Sequence, residues 1–205
     1  MTSNIKKHWE TVYETKTQEQ VSWTQKIPKD SLDFIQSLKL NKDASIIDIG
    51  GGDSFLVDFL LKDGYTNISV LDISNKAIER AKNRLGTNAT KVTWIVSNII
   101  DFKPKKNYDV WHDRAAFHFL TKEKEIKTYV SLTEKYVSKN LIIGTFSNNG
   151  PLKCSGLEIT QYSKYKMHET FYNKFTPIKS LNKNHKTPFN TLQNFTFCSF
   201  IKHYE

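Results

Sequence analysis

The run from Ser45 to Phe55, SIIDIGGGDSF, followed by LDIS at residues 71–74, constrains this chain more than any other stretch. An apolar strand, a glycine turn, a helix start and a second strand ending on an acid follow one another. That is the layout of a nucleoside-binding α/β half-domain. Glycines at 50, 51 and 52 leave no side chains at the turn, so a ligand can approach the backbone closely and a helix can begin at once. Asp72 stands about 20 residues beyond Gly52, where a carboxylate can accept hydrogen bonds from both hydroxyls of a ribose.

The glycine spacing separates two nucleosides. A dinucleotide site wants G-x-G-x-x-G, with the pyrophosphate on the helix N-terminus. Counting from Gly50, the last glycine falls on Phe55, whose ring would crowd the helix–strand packing, and Asp53 would put negative charge where the pyrophosphate lies. Neither suits NAD. The pattern Asp48-Ile-Gly50-Gly51-Gly52-Asp53-Ser54 instead resembles motif I of the class I S-adenosylmethionine-dependent methyltransferases, in which an acid ending the first strand precedes G-x-G-x-G. Ser54 stands in place of the family's last glycine.

The resemblance implies S-adenosylmethionine as cofactor and assigns the residues around the turn. Asp48 would anchor the amino group of the methionine tail through water or backbone. Gly50, Gly51 and Gly52, closed by Ser54, would make room for the tail and ribose, and Asp72, with Ile73 beside it, would hold the ribose. Asn98 falls where the family has an acid or amide that hydrogen-bonds the adenine amino group, with Ile99 beside the ring. The cofactor has no phosphate, so acidic residues near the turn are favourable.

Apolar periods alternate between helix and strand along the chain. Residues 4–15 place Ile5, Trp9 and Val12 on one helical face, and Pro28 precedes a second helix with Leu32, Ile35 and Leu38 inward. Strand 45–50 leads to helix 54–63 closed by Gly64, and strand 67–72 to helix 75–85 closed by Gly86. Strands follow at 91–96 and from Tyr108, then helix 122–137 and strand 140–146. After that, 157–162 and 175–182 read as extended with a short helix between them, and a last strand carries Phe195, Phe197 and Ser199. This ending resembles the methyltransferase one. The expected fold is therefore α/β, Rossmann-like, with a seven-stranded mostly parallel sheet, a C-terminal antiparallel hairpin and helices on both faces. It is read as one domain over 1–205, with a helical cap at 1–40 and a cofactor-binding core at 41–205.

Composition agrees with a folded domain, at 38% apolar and 25% charged. No 18-residue apolar stretch occurs and the N-terminus MTSNIKKHWE has no apolar signal region, so the expectation is a cytoplasmic protein with no membrane contact. Cys154 and Cys198 make neither a disulfide framework nor a zinc set, and no other spacing suggests a metal site. The net charge is +9, yet only Arg80, Arg84 and Arg114 among 30 basic residues are arginines. The excess lies in the C-terminal third, which reads as a solvated lysine face rather than a phosphate-reading surface, so nucleic acid is not the expected partner.

The segment YDVWHDRAAFHFLT at 108–121 is dense in side chains able to do chemistry. Trp111, His112, Asp113, Arg114 and His118 lie at or beyond the carboxyl end of a central strand, where ligands bind in open α/β sheets. WHDRAxFHFLT is similar to a segment of a bacterial-type subgroup of class I methyltransferases. So are W-x-x-x-Y with VSW (Trp9, Tyr13, Trp23), GTFSNNGPLKCSGL from Gly144, and HKTPFNTLQNF from His185. The resemblance implies that His112 contacts the methionine tail. His118 is the first choice of general base, its ordinary pKa lying near neutrality, with Asp113 second. Arg114 could hold a carboxylate of the acceptor by a bidentate pair. An internal network of Asp113 with His112 or Arg114 is the alternative. For His185 and Gln193, around Pro188, two readings stand: they line the acceptor site, or they flank a hairpin loop. Trp23, in the non-periodic EQVSWTQ, is read as a lid over the sulfonium, whereas Trp9 and Tyr13 are read as core packing.

The reading is an S-adenosylmethionine-dependent methyltransferase with a small-molecule acceptor. A protein lysine methyltransferase is the rival within the class, weakened because WHDRAAFHFL stands where that group carries other signatures. From a different class, a noncatalytic nucleoside- or RNA-binding module of the same fold remains, supported by Ser54, Asn98 and the basic C-terminal third.

Overall fold

A computed structural model describes residues 2–203. The elements are α1 (Thr2–Thr15), α2 (Lys29–Ser37), β1 (Ile46–Ile49), α3 (Leu56–Lys62), β2 (Ile68–Asp72), α4 (Asn75–Leu85), β3 (Val92–Val96), β4 (Tyr108–Arg114), α5 (Glu123–Tyr136), β5 (Val137–Phe146), β6 (Lys153–Cys154), β7 (Leu157–Glu158), α6 (Lys164–Phe171), β8 (Phe175–Lys186) and β9 (Leu192–Lys202). Seven strands form one sheet in the order β3-β2-β1-β4-β5-β9-β8, and β6 and β7 form a separate small ribbon. β9 runs antiparallel to both of its neighbours, while β1 to β5 pair in parallel. The expected fold class is the observed one.

β1 and β2 are buried along their whole length, which is why IIDI and ISVLD read as near-continuous apolar runs. Alternate residues face opposite layers. Ile47, Ile49, Trp111, Leu141 and Ile143 pack with Tyr129 of α5 and Met167 and Phe171 of α6. Ile46, Val70, Val110 and Ile142 pack with Leu32 and Ile35 of α2 and Leu56 and Leu60 of α3. Each fully buried side chain of this size contributes about 1.5–3 kcal/mol.

Helix starts and stops follow local chemistry. Ser74 caps α4 by accepting the Ala77 N–H, and Glu10 of α1 reaches the same helix end, accepting the Ser74 hydroxyl at 2.8 Å and the Asn75 and Lys76 N–H groups at 2.9 and 3.1 Å. A carboxylate at a helix N-terminus is favoured by the exposed amides. Burial opposes the Glu10 charge, yet the Lys76 and Asn75 amides and the Ser74 hydroxyl outweigh it and lower the pKa. Gly86, at φ +57°, closes α4 with its N–H on the Lys82 carbonyl.

Three sequence boundaries move. α5 passes into β5 at Val137 without a linker, because Val137 is already buried and paired with Tyr108, so the strand begins before residue 140. Of 157–162, only Leu157–Glu158 is strand, folded back on Lys153–Cys154 through Ser155 and Gly156, both at positive φ. β8 runs on to Lys186, past residue 182, because β9 pairs with it to Leu192. No helix among the described residues is long and apolar enough to cross a membrane.

Candidate active site

The carboxyl ends of β1, β2 and β4 open into a cavity of about 420 Å³, covered by α1 and by residues of the 18–25 segment. Its floor is the glycine turn. Gly50 and Gly51 donate to the Leu71 carbonyl at 2.8 and 3.2 Å, with Gly50 at φ +66°. A Cβ on Gly51 would stand 2.5 Å from Asp48 Oδ2, and one on Gly52 would stand 2.5 Å from Asp72 Oδ2. The turn therefore closes directly against two carboxylates, leaving space that any side chain would fill. Ser54 accepts the Leu56 N–H at 3.1 Å, which opens α3 and accounts for a serine at this position.

Asp72 ends β2, is 5% exposed, and spends Oδ1 on the Ser74 N–H at 2.8 Å. Burial first, with the Asp48 and Glu10 charges adding and the Ser74 and Ile73 amides opposing, pushes its pKa up to about 7. A carboxylate this poorly solvated gains from further donors, and ribose hydroxyls are such donors. Asp53 departs from the sequence reading. Its carboxylate faces Arg84 at 2.6 Å, Arg80 at 3.6 Å and the Gln18 amide at 2.8 Å, so its charge is paired rather than aimed at a ligand. It does not exclude a pyrophosphate, and the case against a dinucleotide rests on Phe55 and the glycine spacing.

Asp48 and His112 lie opposite each other on paired strands, so their side chains share a face. His112 Nδ1 is 2.7 Å from Asp48 Oδ1, and Nε2 is 2.9 Å from the hydroxyl of Ser31 on α2. In the neutral tautomer with its proton on Nδ1, His112 donates to Asp48 and Nε2 accepts from Ser31. All three residues are buried and all three line the cavity. The imidazole is thus held between Asp48 at the end of β1 and Ser31 of α2.

Arg114, two residues on from His112 along β4, also lines the cavity. Its Nη1 donates to the Trp23 carbonyl at 3.0 Å and its guanidinium lies 4.8 Å from the centre of the Phe195 ring. Nε and Nη2 are buried and have no partner. Burial lowers its pKa to about 10, against the Asp30 and Asp48 charges.

Two expected catalytic residues fall elsewhere. Asp113 points to the opposite face of β4, where it accepts from the Ala116 and Phe117 amides at 2.9 and 3.0 Å and from the Tyr129 hydroxyl at 2.7 Å. Tyr129 in turn accepts the Trp111 indole N–H at 3.0 Å. Burial raises the Asp113 pKa to about 6, with these donors opposing. This is the internal network, with Tyr129 as partner in place of His112 or Arg114. His118 is fully buried, packs on Phe119 and Phe146, and does not line the cavity; Nδ1 takes the Phe146 N–H at 3.4 Å. Burial, then the Arg114 charge, lowers its pKa to about 3, as expected of an imidazole packed in the core. The structure thus places the expected general base, His118, away from the cavity.

Of the expected cofactor residues, Asp48, Gly50, Gly51, Ser54, Asp72, Ile73, Asn98, Ile99, Trp23 and His112 line the cavity, while Gly52 stands behind Asp72. Asn98 Oδ1 accepts the Ile100 N–H at 3.3 Å, so its carbonyl has one lone pair already engaged. Trp9 and Tyr13, expected as core, line the cavity beside Trp23, with Trp9 edge-on to Trp23 and Phe119 at 5.7 and 5.2 Å. His185 and Gln193 do not line it. They hold Ser22 instead, His185 Nε2 donating to its carbonyl at 2.7 Å and Gln193 Nε2 to its hydroxyl at 3.2 Å.

Residues 46–135 match a family model described as a methyltransferase domain. Over 81 residues, the chain is 31% identical to malonyl-[acyl-carrier protein] O-methyltransferase 2 of Ilyobacter polytropus, a match spanning 39% of this chain and 31% of that relative's length. Two solved structures share the fold over most of the chain. One, from work on the conversion of a disulfide bond into a thioacetal group during echinomycin biosynthesis, superposes at TM-score 0.77 with 14% identity, covering 98% of this chain and 94% of that one. The other, Burkholderia thailandensis 1,6-didemethyltoxoflavin-N1-methyltransferase with bound 1,6-didemethyltoxoflavin and S-adenosylhomocysteine, gives 0.73 with 13% identity, covering 98% and 88%.

Reasoning from sequence missed Ser31, whose partner His112 is 81 residues away. The network around Asp113 yields a prediction. Tyr129→Phe leaves the buried Asp113 oxygen and the Trp111 N–H short of a partner and costs roughly 1–3 kcal/mol in denaturant unfolding. Ligand binding at the cavity is unchanged by it, whereas a catalytic Asp113 would carry the loss into binding or turnover.

Proposed function

We propose that the chain is an S-adenosylmethionine-dependent methyltransferase acting on a small-molecule acceptor. The observation that carries this is Asp72, a buried carboxylate with one oxygen committed, set beside a glycine turn with no room for a side chain. Asp72 would hold the ribose, Gly50 and Gly51 the methionine tail near Asp48, and Asn98 with Ile99 the adenine. When bound, S-adenosylmethionine supplies a methyl group on a sulfonium that departs without acid. Trp9, Tyr13 and Trp23 exclude water and present ring faces to positive charge. His112 takes the place first given to His118, since Asp48 fixes its tautomer and Nε2 can receive a proton from an amine or hydroxyl by way of Ser31. The acceptor is a small molecule because α1 and residues of the 18–25 segment roof the cavity. Two free buried thiols suit a reducing compartment, and we place the protein in the cytoplasm.

Calorimetric titration with S-adenosylmethionine and, separately, with NAD tests the reading. Saturable binding of the first alone is expected; binding of neither, or of NAD alone, would sink it. The pH dependence is specific. Ribose donors favour ionised Asp72, so binding lowers a pKa that stands at about 7 in the free protein. Affinity therefore rises as pH increases through 7 and falls below it. A flat profile between pH 6 and 8 would remove Asp72 from the contact.

A further inference from the structure

Arg114 is a half-buried cation that has no counter-ion among the described residues and whose Nε and Nη2 are closed off from solvent. Among the described residues no carboxylate lies within ion-pairing distance of it. Asp48 is taken by His112, and Asp30 lies 3.9 Å from Lys183. Its one hydrogen bond uses Nη1. The two partnerless nitrogens, Nε and Nη2, form the edge of the guanidinium that presents two parallel N–H bonds, the fork that matches a carboxylate. Buried charges are ordinarily paired, and an unpaired one costs several kcal/mol. Arg80, the other arginine on the cavity wall, is engaged by Asp53 and by the Lys16 carbonyl. One vacant cationic fork thus lies in the wall of a cavity that Trp9, Trp23 and Phe119 also line.

We infer that the acceptor is a carboxylic acid with a flat apolar body, its carboxylate paired with the Nε/Nη2 edge of Arg114. His112 lies one same-face position earlier on β4, on the order of 7 Å along the strand, so the far end of such an acid comes to the imidazole. An amino or hydroxy acid, methylated at the nitrogen or oxygen remote from its carboxylate, fits that span. Both nitrogens are closed off from solvent while Arg114 holds Trp23, so entry of the acid requires the 21–25 segment to move.

This rests on the methyl-transfer reading for the purpose of the site, and its test does not. The protein, alone and saturated with S-adenosylhomocysteine, is titrated calorimetrically with benzoate and phenylacetate and with the matching neutral amides. The acids are expected to bind at least about tenfold more tightly than the amides, with the preference lost in Arg114→Gln and partly kept in Arg114→Lys. S-adenosylhomocysteine affinity measured on the same variants reports whether the fold and cofactor site survive. Equal binding of acid and amide, an acid preference that persists in Arg114→Gln, or no saturable binding of either acid overturns the inference. If S-adenosylhomocysteine itself fails to bind, the cofactor reading falls while the acid titration of the unloaded protein still judges Arg114.

Discussion

Asp72→Asn weakens S-adenosylmethionine binding roughly 100-fold at pH 8 and at the same time raises the melting temperature of the ligand-free protein. The two changes have one cause. The asparagine keeps an oxygen for the Ser74 N–H but has no charge to offer ribose, and two charge-assisted hydrogen bonds at about 1.5 kcal/mol each disappear. In the free protein the carboxyl titrates at about 7 instead of its ordinary 3.8, so the folded state holds the proton more tightly than the unfolded one. The cost of the buried charge is absent below the unfolded pKa, grows as pH rises, and is complete above 7. The stabilisation by asparagine is accordingly larger at pH 8 than at pH 5.5. Thermal melts at both pH values, with calorimetry at the higher one, check this. A variant that binds normally would show that the carboxylate is only a turn element.

Gly51→Ala is the second large effect. Its Cβ would meet Asp48 Oδ2 at 2.5 Å, the Asp48 carboxyl carbon at 2.8 Å and Val70 Cγ1 at 3.0 Å. Neither neighbour can yield cheaply. Val70 is fully buried in the sheet, and Asp48 is tied through His112 to Ser31. Displacing the carboxylate leaves His112 without an acceptor for its Nδ1 proton, so the expected loss is about 2–4 kcal/mol, together with loss of cofactor binding. For a chain of this size that lowers the melting temperature by roughly 5–15 °C. Gly64→Ala is the control. It meets nothing within 4 Å and is penalised only for its φ of +88°, about 1 kcal/mol. Equal melting shifts for the two would mean that the contacts with Asp48 and Val70 cost no more than the φ strain at Gly64, and the pressed carboxylate would not explain Gly51.

Much of this architecture was legible because parallel strands and glycine turns write themselves locally. IIDI and ISVLD are buried on both faces and can be nothing but central strands, and Gly64 and Gly86 stop their helices where a left-handed residue is needed. Side-chain direction at the strand end was the harder problem. Along WHDR the alternation sends His112 and Arg114 to one face and Trp111 and Asp113 to the other, so half of a chemically rich string belongs to the packing against α5. His118 looked reactive by type, yet it follows the strand in a short turn that carries it under Phe146. Ser31 carried no local signal, since a serine in the first turn of a helix is ordinary. Trp9 and Tyr13 sit at helical spacing and read as core, because periodicity reports a covered face without saying whether protein or ligand covers it.

The grip of His185 and Gln193 on Ser22 spans 163 and 171 residues of sequence. During synthesis the segment that roofs the cavity is therefore made well before the hairpin that fastens it. Sheet strands β1 to β4 can pair as they emerge, but β9 must slot beside β5 before its neighbours reach Ser22. A nascent chain therefore carries the glycine turn and Asp72 long before it has a fastened roof, and the covered compartment exists only once translation has passed the β8–β9 hairpin.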